Sequence, residues 1–188
     1  MLKRIVVSSA TVLLAVALSP LAVAAGSAGE VVEVNSALSQ EDIQAGLFPQ
    51  SAQSQDCKEA EAAGFSCGQI VPTKTFSLPA NPSFAAGSSR LSDSAIAFLA
   101  KFGPVFKRNE TSGNKVVFIG HTDVTGSPQL NKRLSQQRAN SVRQYFINNF
   151  AVSPSFMEAV GVGSAQLLDK SDPSSPSNRR VEIRRSAK

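Results

Sequence analysis

Between residues 92 and 106, apolar side chains recur at Ala95, Leu99, Phe102 and Phe106, the spacing that turns one face of a helix into a core. Ser92 stands where a hydroxyl can cap the first turn. Gly103-Pro104 predicts a kink or an end, because proline removes the bond to Ala100 and clashes with its carbonyl. A longer helical pattern covers about 128–149, with Pro128 suited to its first turn. One row of this helix reads Leu130, Leu134, Arg138, Val142, Phe146, so a guanidinium interrupts a line of core-type side chains. TKTFSLP (73–79) reads as a strand, and SFAAGSSRL (83–91) leads into the first helix. KVVFIGH (115–121), bounded by Asn114 and Gly120, is a continuous apolar run and predicts a strand covered on both faces. SPSFMEAVGVG (153–163) predicts a helical turn entering a strand, and DKSDPSSPSN (169–178) a loop. RRVEIRRSA (179–187) alternates Val181 and Ile183 inward with Arg180, Glu182 and Arg184 outward, the pattern of a half-exposed strand. The order β-α-β-α-β-β predicts an α+β fold with its helices packed on one face of a mixed sheet.

Upstream the periodicity thins. LSQEDIQAGLFP (38–49) predicts a short helix with Ser39 or Gln40 near its N-cap and Pro49 beyond its end, and QSAQSQ (50–55) is linker-like. Residues 26–75 are expected to be a partly ordered N-terminal extension, and 76–188 the domain. Met1 to Arg4 are basic, Ile5 to Leu18 apolar, and Ala22-Val23-Ala24 follows the Ser19-Pro20 break, which predicts a cleaved signal peptide over 1–25. The apolar run of about 14 residues is shorter than the ~20 that a spanning helix needs, so no transmembrane segment is expected in the mature chain. No cysteine follows it, so the lipid-anchored form of leader is not expected. The two cysteines, Cys57 and Cys67, have nine residues between them, and in an exported chain they predict one disulfide tying down the extension.

The formal charge of +5 falls by two when Lys3 and Arg4 leave with the leader. A mildly basic chain suits an anionic polymer or surface. With one Tyr, no Trp and no Phe in a base-stacking strand pattern, nucleic acid is not an expected partner. A single histidine, His121, offers no metal-ligand set, and no activated nucleophile is legible, so neither a metal, a cofactor nor an enzyme is predicted.

Arg138 has two readings. Its stem can pack on the helix flank while the head reaches water. Alternatively, it shares a crevice with Asp123 of HTDVTG (121–126), the loop at the C-terminal end of a buried strand, where polar groups gather. A carboxylate and a guanidinium held apart there would receive a zwitterion, the first taking an ammonium and the second a carboxylate, helped by amides at the helix N-terminus. The two charges could also simply pair with each other.

The stretch Asn131, Leu134, Ser135, Arg138, Ala139, Val142 resembles the signature Asn-x-x-Leu-Ser-x-x-Arg-Ala-x-x-Val of the OmpA-like peptidoglycan-binding domain family. The preceding Gly120, His121, Thr122, Asp123 and Gly126 also match, as does NRRVE at Asn178 to Glu182, and the likeness covers about 76–185. It implies a β-α-β-α-β-β sandwich and a non-catalytic periplasmic module, associated with the cell wall or outer membrane. The module would hold peptidoglycan through the meso-diaminopimelate of its stem peptide. Carried over residue by residue, Asp123 takes the ammonium and Arg138 the carboxylate. Backbone groups around Thr122 and Asn131 add hydrogen bonds, Leu134 lines the pocket, and Arg180, with Arg179 as an alternative, lies near it. Ser135, Ala139, Val142 and His121 look structural. One departure stands out: FAAGSS offers Ala85, Ala86 and Gly87 where many members carry an acidic residue, which implies a less negative pocket. An alternative function is an envelope protein-interaction factor that uses residues 26–75 and has weakened or lost peptidoglycan binding. The extension has no alternating strand pattern of the kind that builds an outer-membrane barrel.

Overall fold

The computed structural model describes residues 30–49, 73–85 and 87–186. The expected signal peptide and the Cys57–Cys67 disulfide lie outside these residues. Five strands form one mixed sheet in the order β1-β2-β5-β3-β4: β1 (Val31–Glu33), β2 (Thr75–Pro79), β3 (Lys115–His121), β4 (Met157–Gly163) and β5 (Arg180–Ser186). The helices are α1 (Gln40–Leu47), the single turn α2 (Ala80–Ser83), α3 (Asp93–Leu99), α4 (Phe102–Asn109) and α5 (Pro128–Phe150), with 3-10 turns at Pro154–Phe156 and Pro176–Asn178. This is the α+β arrangement expected from the order of elements.

Local chemistry accounts for the helix ends. Ser39 and Asp42 form a reciprocal capping box on α1, at 3.0 and 3.1 Å. The Ser92 hydroxyl accepts from the Ala95 N–H at 3.2 Å, and the Ser127 hydroxyl from Leu130 at 3.3 Å, one residue before Pro128 opens α5. The pattern around Gly103-Pro104 divides into two helices: α3 stops at Leu99 and α4 restarts at Phe102, so Pro104 lies in a first turn, where its missing N–H costs nothing.

The core lies between the helices and one face of the sheet. Phe76, Ile183 and Phe118 are adjacent across β2, β5 and β3, and all are buried. Phe118 stacks on Phe146 of α5, and Phe106 of α4 meets Phe146 edge-on at 4.7 Å between ring centroids. Residues 31–48, which the sequence reading placed in the extension, are built into this unit. β1 runs parallel to β2, and Val34, Leu38, Ile43, Leu47 and Phe48 join the same core.

Gly120 on β3 and Gly161 on β4 set the distance of α5 from the sheet. A Cβ on Gly120 would lie 2.0 Å from the Ser135 carbonyl oxygen, and one on Gly161 2.2 Å from the Gln136 nitrogen. At this approach the Ser135 hydroxyl accepts from the Gly163 N–H at 2.9 Å. The Gln136 side chain donates to the Ala159 carbonyl at 2.9 Å and accepts from the Gly161 N–H at 2.7 Å, and Arg143 donates to the Met157 carbonyl. These side chains occupy backbone groups along the outer edge of β4, which would otherwise template another strand.

Two strand expectations are corrected. β3 is not covered on both faces: Val116 and Phe118 are buried against the helices, whereas Val117 and Ile119 on the opposite face are half-buried. β5 is not half-exposed at its start, for Arg180 and Glu182 are as buried as Val181 and Ile183. The reason is pairing. β5 runs between β2 and β3, with Ser77 and Ile119 on either side of Glu182. The Glu182 carboxylate accepts from Arg180 Nε at 2.8 Å and Nη2 at 2.6 Å on one oxygen, and from Arg184 on the other. The fully buried His121 places Nε2 3.6 Å from that second oxygen.

Burial alone would raise the Glu182 carboxyl, but His121 and Arg180 overcome it and hold the pKa at about 2. The ionised form is therefore favoured by folding, and its stabilisation is complete above the ordinary value of 4.5 and lost as pH falls toward 2. Two outcomes follow. Gly120→Ala should cost about 3 kcal/mol or more in a urea unfolding experiment, since the clash is with helix backbone rather than with a movable side chain. Glu182→Gln should lower stability at neutral pH and flatten the fall of the thermal midpoint between pH 4.5 and 2 relative to the parent.

Candidate functional site

The site forms where β3 runs out. A register shift between Gly120 and His121 ends the regular ladder, and the Thr122 N–H closes onto the Gly163 carbonyl at 3.0 Å. The chain then turns through Asp123 to Gly126, whose φ of 87° suits a glycine, and enters α5. Asn131, from the first turns of the helix, donates to the Asp123 carbonyl at 3.2 Å and the Thr125 carbonyl at 2.9 Å. Its amide thus fixes the loop that carries Asp123.

Asp123 is buried and both its oxygens are engaged. Oδ1 accepts from the Thr125 N–H at 3.0 Å and from the Thr125 hydroxyl, while Oδ2 accepts from Arg179 Nη1 at 2.6 Å. Burial pushes its carboxyl up, but the Thr125 and Arg179 bonds outweigh that and leave it below the ordinary carboxylate range. Asp123 does not pair with Arg138, which disposes of that reading among the described residues.

Arg138 is only 4% exposed. Its Nε donates to the Ser88 carbonyl at 3.0 Å, and its guanidinium carbon lies 5.2 Å from the centre of the Phe84 ring. Neither Nη carries a hydrogen bond among the described residues. Burial, and then the neighbouring Arg179, lower its pKa, with Asp123 opposing, yet a guanidinium stays charged at neutral pH. The snorkelling reading does not hold, because the head is buried against Phe84 and Ser88. The interrupted row is also resolved. Leu130 is 55% exposed and Leu134 half-buried, so the stripe that α5 buries runs Asn131, Ser135, Arg138, Ala139, Val142, Phe146.

Arg138 and Arg179 line one cleft of about 330 Å³, walled by Asn81, Phe84, Ala85 and Gly87. Asp123 stands behind it, joined through Arg179. Thr122 and Asn131 are buried and hold the loop, and Leu134 is not among the lining residues. Arg180 is a correction: its guanidinium is bound to Glu182 on the far face of the sheet, away from the cleft. Arg179, the alternative, is the arginine that lines the cleft beside Arg138. Its signal was present in the alternation of the strand, since Arg179 shares parity with the inward Val181 and Ile183 and Arg180 does not. A wider hollow of about 570 Å³ runs along the solvent side of α5 past Lys132 and Arg133, but no carboxylate lines it among the described residues.

A model of the OmpA family matches residues 83–181. Outer membrane protein P5 of Haemophilus influenzae is 38% identical over 96 residues, 50% of this chain and 26% of P5. Outer membrane protein A of Serratia marcescens is 31% identical over 114 residues, 61% of this chain and 32% of that protein. The peptidoglycan-associated lipoprotein of Pseudomonas putida is 35% identical over 78 residues, 40% of this chain and 46% of that one. The chain therefore spans less than half the length of these relatives. Among solved structures, the periplasmic domain of Helicobacter pylori MotB superposes with a TM-score of 0.51 at 22% identity, covering 58% of this chain and 73% of that one, a likeness of fold. With its site motifs inside a family match that takes in more than half of its residues, the chain belongs to the OmpA family.

Proposed function

We propose that this chain is a non-catalytic module of the periplasm that associates with the cell wall by holding peptidoglycan non-covalently, through the diaminopimelate of the stem peptide. The observation that carries the reading is Arg138: a buried guanidinium, held by Nε and by an aromatic face, whose two Nη groups carry no hydrogen bond among the described residues and can meet a carboxylate in a cleft. A fork fixed in this way loses little freedom when it binds, and its planar geometry matches a carboxylate with two parallel bonds. The relative from Pseudomonas putida, named for its association with peptidoglycan, supports the same ligand. Asn131 and Thr125 act on the site by holding Asp123, and Asp123 by orienting Arg179.

A second reading, an envelope protein-interaction factor with weakened wall binding, is favoured by one observation. Asp123, the acceptor expected for the ligand's ammonium, is already occupied by Arg179. The partner surface on residues 26–75 is narrowed by the burial of Val34, Leu38, Ile43, Leu47 and Phe48 in the domain core.

Retention on purified sacculi separates the two. The parent is expected to be retained. Arg138→Gln should weaken retention more than tenfold, the loss of a charge-assisted pair worth about 2 kcal/mol. Asp123→Ala should weaken it less. Circular dichroism on each variant would establish that it is folded. Equal retention of all three proteins rejects peptidoglycan binding at this cleft.

A further inference from the structure

The Arg138 cleft has a neighbour. Asn81, Phe84 and Ala85 wall it on one side, and the same three residues wall a second hollow of about 410 Å³ that is closed by Arg90, Leu91 and Asp93. Ser88 ties the two together: its carbonyl accepts from Arg138 Nε at 3.0 Å, and its hydroxyl accepts from the Arg90 N–H at 3.0 Å. The backbone that carries Arg90 is fixed on its other side, where Leu91 pairs with Phe84 and the Ser92 N–H donates to the Ser83 carbonyl at 2.9 Å. Arg90 itself is exposed. Neither its guanidinium nor the Asp93 carboxylate carries a hydrogen bond or an ion pair among the described residues, so the two charges line one hollow without neutralising each other. Such a hollow suits a ligand that presents an anion and a hydrogen-bond donor side by side.

The stem peptide carries that pair of groups next to diaminopimelate. Its glutamate is joined through the γ-carboxyl, so the α-carbon bears a free carboxylate and an amide N–H. We infer that Arg90 takes this second carboxylate and Asp93 the N–H beside it, which makes the second hollow a reader of the glutamate. The stem lies across the Phe84–Ala85 wall, with one carboxylate on Arg138 and the next on Arg90. The inference rests on the reading of the cleft as a stem-peptide site and adds to it the class of stem preferred, one whose glutamate is not amidated. Amidation replaces the anion with a neutral group, and Arg90 then loses the charge assistance of the bond. Because Arg90 is exposed, water screens the pair, and its contribution is smaller than that of the buried Arg138.

Calorimetry of the full chain with two ligands tests this: N-acetyl-L-alanyl-γ-D-glutamyl-meso-diaminopimelate, and the same peptide amidated on the glutamate α-carboxylate. The acetyl group stands for the amide by which the stem is attached in the wall. In the parent, amidation is expected to weaken binding about fivefold, the scale of one charge-assisted pair at an open surface. Arg90→Gln should bind the acidic peptide about fivefold more weakly than the parent does and distinguish the two peptides by less than about twofold. Equal affinity of the parent for both peptides overturns the inference and leaves stem-peptide binding in place. A loss on amidation that is as large in Arg90→Gln as in the parent shows that the glutamate is read elsewhere and overturns the role of Arg90. If the parent binds neither peptide, the stem-peptide reading falls and the inference falls with it.

Discussion

The close seat of α5 on β3 and β4 is the constraint on which both fold and site depend. Without side chains on Gly120 and Gly161, the helix backbone lies against the strands, where any Cβ would meet helix backbone atoms. That approach brings Ser135 to Gly163 and Gln136 to the β4 edge, so polar groups that burial would leave unpaired are satisfied. It also fixes the helix rotation. The buried stripe begins at Asn131 and passes through Arg138, which carries the Asp123 loop at one end and the cleft guanidinium two turns later. A helix seated higher, on alanines, would lose both arrangements together.

Charge is then divided between the two faces of the sheet by the pleat of β5. Arg179 and Arg180 are neighbours in sequence but lie on opposite sides, one against Asp123 and the other against Glu182. Each buried carboxylate is satisfied by guanidinium, which removes the large cost of an isolated charge in the interior. Arg138 is left as the cation in the cleft without a carboxylate of its own, among the described residues. The Ser88 carbonyl and the Phe84 ring hold it in place without neutralising it, so the interior stability of the site and its attraction for an anion come from different contacts.

Much of this was legible in the chain. The caps at Ser39 and Ser92, the first-turn Pro128 and the α3–α4 break just before Gly103-Pro104 rest on local chemistry that tertiary context did not override. Asp123 and Arg138 stand out because charges in apolar surroundings are costly and need a reason. β1 was missed because three residues are too short for a period to appear, and its pairing with β2 is a long-range event. The outer face of β5 was misjudged because strand alternation marks two faces but does not say whether the polar one is wet. Here Glu182 and Arg180 bury one another. The exposure of Leu130 has the same kind of cause: a four-residue row winds slowly around a helix as long as α5, so its first members leave the contact that its last members make.

The central claim is that Arg138 is an open, pre-fixed carboxylate receptor. A crystal structure of the protein soaked with the stem tripeptide tests it most directly. The claim predicts a ligand carboxylate in the cleft between Phe84 and Arg179, with both oxygens about 3 Å from the Arg138 Nη atoms and the Nε bond to Ser88 unchanged. A ligand bound elsewhere on the molecule, or one that reaches the cleft without touching Arg138, would contradict it.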